Sequence, residues 1–185
     1  MPYTGTFRMR LFTGIAIPPE VTAQLVQAMD SVRSLPGLRF VAPEKLHLTT
    51  TFIGEWPEER LKDMQDALAA VDVRGPIEIR VARVGWLPSP RFPRVLYAGV
   101  YCTDALQRLA STITQAVIKA GAEQDERRWY RPHITLARVH GRPALDPSPN
   151  AEIGEIGAFQ ATSFFLYLSA DGKYTKLQEF FLLDS

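Results

Sequence analysis

The chain repeats itself once, and that repeat restricts the fold more than any other feature of the sequence. Arg10-Leu11-Phe12 opens an apolar, strand-like stretch, a helix-patterned segment follows, and His47-Leu48-Thr49 arrives 37 residues after Arg10. Arg94-Val95-Leu96 opens a second such stretch, a second helix pattern follows, and His133-Ile134-Thr135 arrives 39 residues after Arg94. A period of about 85 residues is far too long for a solenoid unit. Two pseudo-symmetric lobes facing each other satisfy it, each offering one His-x-Thr strand. Strand side chains alternate, so His47 and Thr49 share one face while Leu46, Leu48 and Thr50 take the other; His133 and Thr135 likewise oppose Ile134 and Leu136. Each strand then has a core side and a chemically active side, and two of them make a cleft.

Helix and strand patterns alternate around these landmarks. Pro18-Pro19 stops the first strand and starts a helix expected over 20 to about 33, with Val21, Leu25, Ala28, Met29 and Val32 on its buried face. Pro36-Gly37 ends it, and 46–53 reads as a strand. Pro57-Glu58-Glu59 opens a second helix whose apolar stripe is Leu61, Met64, Leu68 and Val71, stopped by Gly75-Pro76. Residues 77–84 alternate as a half-buried strand, 87–93 form a proline-rich loop and 94–101 another strand. Thr103 is placed to cap a helix running through Leu106, Leu109, Ile113 and Val117 to Lys119, with Gly121 at the C′ position. Residues 123–128 read as loop, 132–139 as strand and 143–150 as loop. Two last strands are expected at 159–168 and 174–183, joined by a Gly-containing hairpin link at 169–173. The expected class is α+β: one two-lobed domain over 1–185, antiparallel sheets lining a central cleft and helices outside.

Composition bounds what the cleft can accept. Lys and Arg number 21 against 20 Asp and Glu, so any anion site must be local rather than a basic coat. Arg91, Arg94, Arg127, Arg128, Arg131, Arg138 and Arg142 flank the second motif and one loop, and a planar guanidinium suits phosphate oxygens. The single cysteine, Cys102, excludes an intramolecular disulfide and a multi-cysteine zinc site, which fits a reducing compartment. With no apolar signal-like segment near Met1 and no apolar run of roughly 18 residues, a cytoplasmic monomer with no membrane contact is expected.

Histidine has an unperturbed pKa of about 6.5, so it can take or give a proton near neutrality. A ribose 2′,3′-cyclic phosphate opens by in-line displacement: water attacks phosphorus from one side while a ribose oxygen leaves on the other. One imidazole on each side supplies the two proton transfers, and the hydroxyls of Thr49 and Thr135 can donate to the non-bridging oxygens. This chemistry needs neither metal nor cofactor. A lone His-x-Thr is usually structural; two at matching positions of two half-chains are hard to obtain by accident. The competing arrangement is a metal site of His47, His133 and His140, but His140 lies seven residues beyond His133, with no acidic cluster nearby.

The block His47-Leu48-Thr49-Thr50-Thr51-Phe52-Ile53-Gly54, the segment Pro132-His133-Ile134-Thr135-Leu136-Ala137-Arg138, the opening Arg10-Leu11-Phe12, the helix between Thr103 and Gly121, and the closing Leu168-Ser169 with Tyr174 and Leu177 carry a resemblance over nearly the whole chain. The sequence resembles the bacterial 2′-5′ RNA ligase or RNA 2′,3′-cyclic phosphodiesterase family of the two-histidine phosphoesterase superfamily. The resemblance implies a bilobal fold with two antiparallel sheets flanking a cleft. It also implies hydrolysis of terminal 2′,3′-cyclic phosphates to 2′-phosphates, slow reversible 2′-5′ joining, and RNA ends, tRNA fragments among them, as partners. By it, His47 would protonate the leaving 3′-oxygen and His133 would activate water, although near symmetry lets either serve and joining reverses the roles. Arg138 matches the family's phosphate-contacting arginine and Phe52 an aromatic position able to stack a base. Plain alternation puts both opposite their histidines, so a bulge, a twist or a strand end must turn them; otherwise Phe52 is core and Arg138 is ion-paired beneath the site. Alternation gives Thr51 the face of His47, as an added donor, and Arg131 adds charge. Thr50 departs from the family, which more often has an apolar residue there; facing the core, it should matter little. Phosphoesterases of small cyclic nucleotides or 2′-5′ oligonucleotides, and a non-catalytic RNA-end binding module, fit the same motifs.

Overall fold

Pro18 is extended and Pro19 sits in the first turn of helix α1 (Pro19–Asp30), which buries Val21, Leu25 and Met29. These positions are four residues apart, the spacing of one helix face. The computed structural model, which describes residues 7–124, 129–140 and 155–182, orders the remaining elements around three such helices. They are β1 (Arg8–Ala16), β2 (Leu38–Phe40), β3 (His47–Pro57), α2 (Leu61–Ala69), β4 (Ile77–Leu87), β5 (Val95–Val100), α3 (Asp104–Lys119), β6 (His133–Val139), β7 (Gly157–Ala161), β8 (Ser163–Ala170) and β9 (Lys173–Phe181).

Helix α3 follows its sequence signals closely. The Thr103 hydroxyl accepts from the N–H of Leu106 at 3.2 Å, and Gly121 takes a φ of +102° just past the helix end. Helix α2 starts later than its acidic opening suggested. Pro57 still pairs with Arg8 in the sheet and the N–H of Glu58 donates to the Phe7 carbonyl, so a 3-10 turn at Glu58–Arg60 intervenes. Strand β2, only three residues long, had no pattern to announce it.

All strand pairs are antiparallel, in the order β7-β4-β5-β6-β3-β1-β8-β9, with β2 added to β6. The lobes are the two halves of this curled sheet, β3-β1-β8-β9 and β6-β5-β4-β7. They meet at one ladder pair, Leu48↔Ile134, so the two expected sheets form one continuous sheet. Leu48, Ile134, Leu136, Leu11, Ile15 and Phe164 lie on its core side with the buried faces of α1, α2 and α3.

The single strand expected at 159–168 is two strands. Residues up to Ala161 pair with β4 in one half, and residues from Ser163 pair with β1 or β9 in the other. At the crossing, the Thr162 carbonyl accepts the Leu182 N–H. No glycine or proline marks this switch, because an extended backbone serves both sides. At the β8–β9 link Asp171 and Gly172 have φ of 49° and 68°, the two positive values of a type I′ hairpin. The pairing also moves the internal repeat by one residue: Phe12 faces Phe52 and Val95 faces Arg138, so Phe12 corresponds to Val95 rather than to Leu96. Residues 125–128 of the loop expected at 123–128, and the loop expected at 143–150, with Arg127, Arg128, Arg142 and Leu183, lie outside the described residues.

Candidate active site

A bulge at the same place in each motif decides which side chains reach the cleft. Gly14 pairs with Thr49 and Thr13 with Thr51, leaving Thr50 as the extra residue; Tyr97 pairs with Thr135 and Leu96 with Ala137, leaving Leu136 extra. An extra residue resets alternation. Two consecutive positions, Thr50-Thr51 and Leu136-Ala137, are therefore buried, and the next residue, Phe52 or Arg138, is exposed on the histidine's face. Phe52 is 65% exposed, with its ring centroid 6.3 Å from Phe12 at the cleft floor, so it is not core. Among the described residues Arg138 is in no ion pair.

The same bulge overturns the expectation for Thr51. Its hydroxyl is buried and hydrogen-bonded to that of Thr114 on α3 at 2.9 Å, away from the cleft. Thr50 faces inward as expected, its hydroxyl 2.7 Å from that of the buried Thr13. Arg131 contributes through its backbone: its side chain is exposed and its carbonyl meets His133. His140 stands at the far end of β6, its N–H donating to the Gly37 carbonyl, so the three-histidine arrangement is not assembled.

Both imidazoles are held by the same device. Nδ1 of His47 lies 2.7 Å from the carbonyl of Lys45, and Nδ1 of His133 lies 2.7 Å from the carbonyl of Arg131, two residues back in each case. A carbonyl can only accept, so each Nδ1 carries a hydrogen and each Nε2 is left to exchange protons. The antiparallel contact at Leu48↔Ile134 sets His47 across from Thr135 and Thr49 across from His133. That register leaves the two histidines on a diagonal of roughly 7–8 Å, with both threonines between them.

Their surroundings differ. His47 is walled by Phe12 at 4.8 Å, Tyr174 edge-on at 5.2 Å and Tyr167 at 5.8 Å; His133 meets Tyr97 edge-on at 5.8 Å. Burial lowers the pKa of His47, the hydrogen bond to Lys45 partly restores it, and charge on His133 lowers it further. Burial, with Glu179 adding, pushes the Tyr167 phenol up to about 12, so it stays protonated. The aromatic wall was missed in the sequence, although Phe12 sits in the strand phase of Gly14, whose partner is Thr49. Tyr130 was also missed: its hydroxyl donates to the Thr49 carbonyl at 3.1 Å, tying the approach to β6 onto β3.

Known proteins share this architecture. The family described as LigT-like phosphoesterase matches residues 15–97, which hold the first histidine motif. The RNA 2′,3′-cyclic phosphodiesterase of Bacillus subtilis (strain 168) is 31% identical over 178 residues, covering 94% of this chain and 96% of that protein. The chain belongs to the LigT-like phosphoesterase family. As a member it is a hydrolase of phosphoesters. Another relative, the RNA 2′,3′-cyclic phosphodiesterase of Thermus thermophilus, is 38% identical over 138 residues, 70% of this chain and 68% of that one. A crystal structure from Thermus thermophilus superposes with a TM-score of 0.81 at 31% identity, covering 96% of this chain and 100% of the other. Escherichia coli LigT complexed with 3′-AMP gives 0.78 at 27% identity over 95% of this phosphoesterase and 99% of that chain.

Proposed function

We propose that this phosphoesterase opens 2′,3′-cyclic phosphates at RNA ends, leaving a 2′-phosphate, by metal-independent acid–base catalysis between His47 and His133. The matched Nδ1 hydrogen bonds carry the reading, because they leave one Nε2 on each side of a phosphate lying between the strands. His133 Nε2 takes a proton from water as its oxygen attacks phosphorus. The P–O3′ bond breaks, and His47 Nε2–H gives its proton to O3′. Thr49 and Thr135 donate to the non-bridging oxygens, where charge grows in the transition state. His47 is a donor only when protonated. Its lowered pKa works against that in the free enzyme, and the negative charge of a bound phosphodiester works in its favour.

Arg138 supplies charge for a phosphate of the bound RNA end and Phe52 a stacking surface for the base, a reading supported by the bulges that leave both side chains exposed on the histidines' face. Replacing water by a ribose 5′-hydroxyl gives 2′-5′ joining along the same path. The relatives' shared name, RNA 2′,3′-cyclic phosphodiesterase, supports this substrate class. The protein acts as one two-lobed, monomeric unit in the cytoplasm on RNA ends, with tRNA fragments among the candidates. Among the described residues no helix is long and apolar enough to cross a membrane.

The test is incubation, in EDTA, of an oligoribonucleotide ending in 2′,3′-cyclic phosphate. Wild type should yield the 2′-phosphate, while His47→Ala and His133→Ala should each be slower by about 100-fold or more. Full activity in both variants, or no turnover by wild type, would overturn the reading; loss of turnover in EDTA alone would overturn its metal independence.

A further inference from the structure

Strand β2 brings a second arginine beside Arg138. Its register on β6 is Leu38↔Val139, Arg39↔Arg138, Phe40↔Ala137. Leu38 and Phe40 pack against the core while Arg39 is exposed, so Arg39 lies on the face that the Leu136 bulge gives to Arg138. Like charges directly opposed across a ladder destabilise it. Among the described residues neither guanidinium is in an ion pair to relieve this. Two planar forks side by side suit a phosphate.

The other lobe has no counterpart of β2 among the described residues, and at the position matching Arg138 it carries Phe52. The cleft therefore has a direction, with rings beyond His47 and paired guanidiniums beyond His133. Arg138 lies about 13 Å along β6 from His133, counting four steps of about 3.3 Å around the bulged residue. One nucleotide and the reach of an arginine side chain span that distance.

We propose that Arg39, beside Arg138, holds the phosphodiester on the 5′ side of the terminal nucleotide. This rests on the RNA-end reading of the site and deepens it: the enzyme selects the end of a strand over a free nucleoside 2′,3′-cyclic phosphate, because only a strand end has a 5′ phosphate to fill the second subsite. Arg39 is then a specificity-determining residue rather than part of the acid–base machinery.

Binding tests this without turnover. Calorimetric titration with 3′-AMP and with adenosine 3′,5′-bisphosphate compares ligands that differ by the 5′ phosphate. Wild type should bind the bisphosphate about tenfold more tightly or better, as expected for one charge-assisted interaction. Arg39→Gln, an exposed change on a short edge strand, should shrink that ratio to within about threefold, and Arg39→Glu should bring it to one or below. A wild type without the preference, or an Arg39→Gln variant that keeps it in full, would overturn the proposal. Loss of cyclic-phosphate turnover with the binding ratio intact would instead count against the catalytic reading alone.

Discussion

His47 and His133 make the same hydrogen bond in unlike surroundings, and the difference has a measurable sign. Burial among Phe12, Tyr167 and Tyr174, and charge on His133, place the His47 pKa below the ordinary value of about 6.5. An NMR titration of the ring protons should find its midpoint there, and His133→Ala should move that midpoint upward; an unchanged midpoint would mean that the two rings do not sense each other. In stability, the unfolded chain binds the extra proton between the folded pKa and about 6.5. The contribution of neutral His47 is therefore complete above that window and is lost as pH falls through it. That His47 and Thr49, and His133 and Thr135, share one face was legible because strand alternation over three residues needs no knowledge of the fold. Thr51 was misplaced for the same reason: one extra residue at Thr50 inverted the alternation beyond it.

Strand β1 must pass closely beneath the first motif, and Gly14 allows it. A Cβ there would come within 2.9 Å of the Leu48 carbonyl oxygen and 3.5 Å of His47 Cδ2. Backbone cannot swing aside as a side-chain tip can, so Gly14→Ala should destabilise the protein by about 1–3 kcal/mol in urea unfolding. It should also lower kcat by roughly tenfold or more through displacement of His47; full activity would show that β1 and β3 part without moving the ring. Helix α3, with Thr103 and Gly121 at its ends, was fully legible because caps and breakers act locally. Strand β2 and the crossing at Thr162 were not, because three extended residues and an unbroken extended run carry no local signal of which neighbour they choose.

Across the whole molecule, one ladder pair, Leu48↔Ile134, and the Tyr130 hydroxyl on the Thr49 carbonyl hold the two histidine strands together. Tyr130→Phe removes only the second link. It should cost about 1 kcal/mol in unfolding free energy and lower kcat severalfold with KM little changed, because each lobe keeps its own phosphate contacts while the imidazoles lose their shared spacing. An equal loss in kcat and KM would assign Tyr130 to binding instead. The repeat showed two lobes from the outset; that their sheets fuse depends on curvature, which no short motif encodes. The order of strands has a further consequence for how the protein is made. Apart from the short β2, the half carrying His133 is built from β4 to β7 in one run of strands, whereas the half carrying His47 begins with β1 and β3 and waits for β8 and β9. Tyr167 and Tyr174, which wall His47, arrive on that closing hairpin. On the ribosome the chain thus carries one nearly finished half and one gaping half, and the aromatic wall around His47 closes only after translation has passed the β8–β9 hairpin.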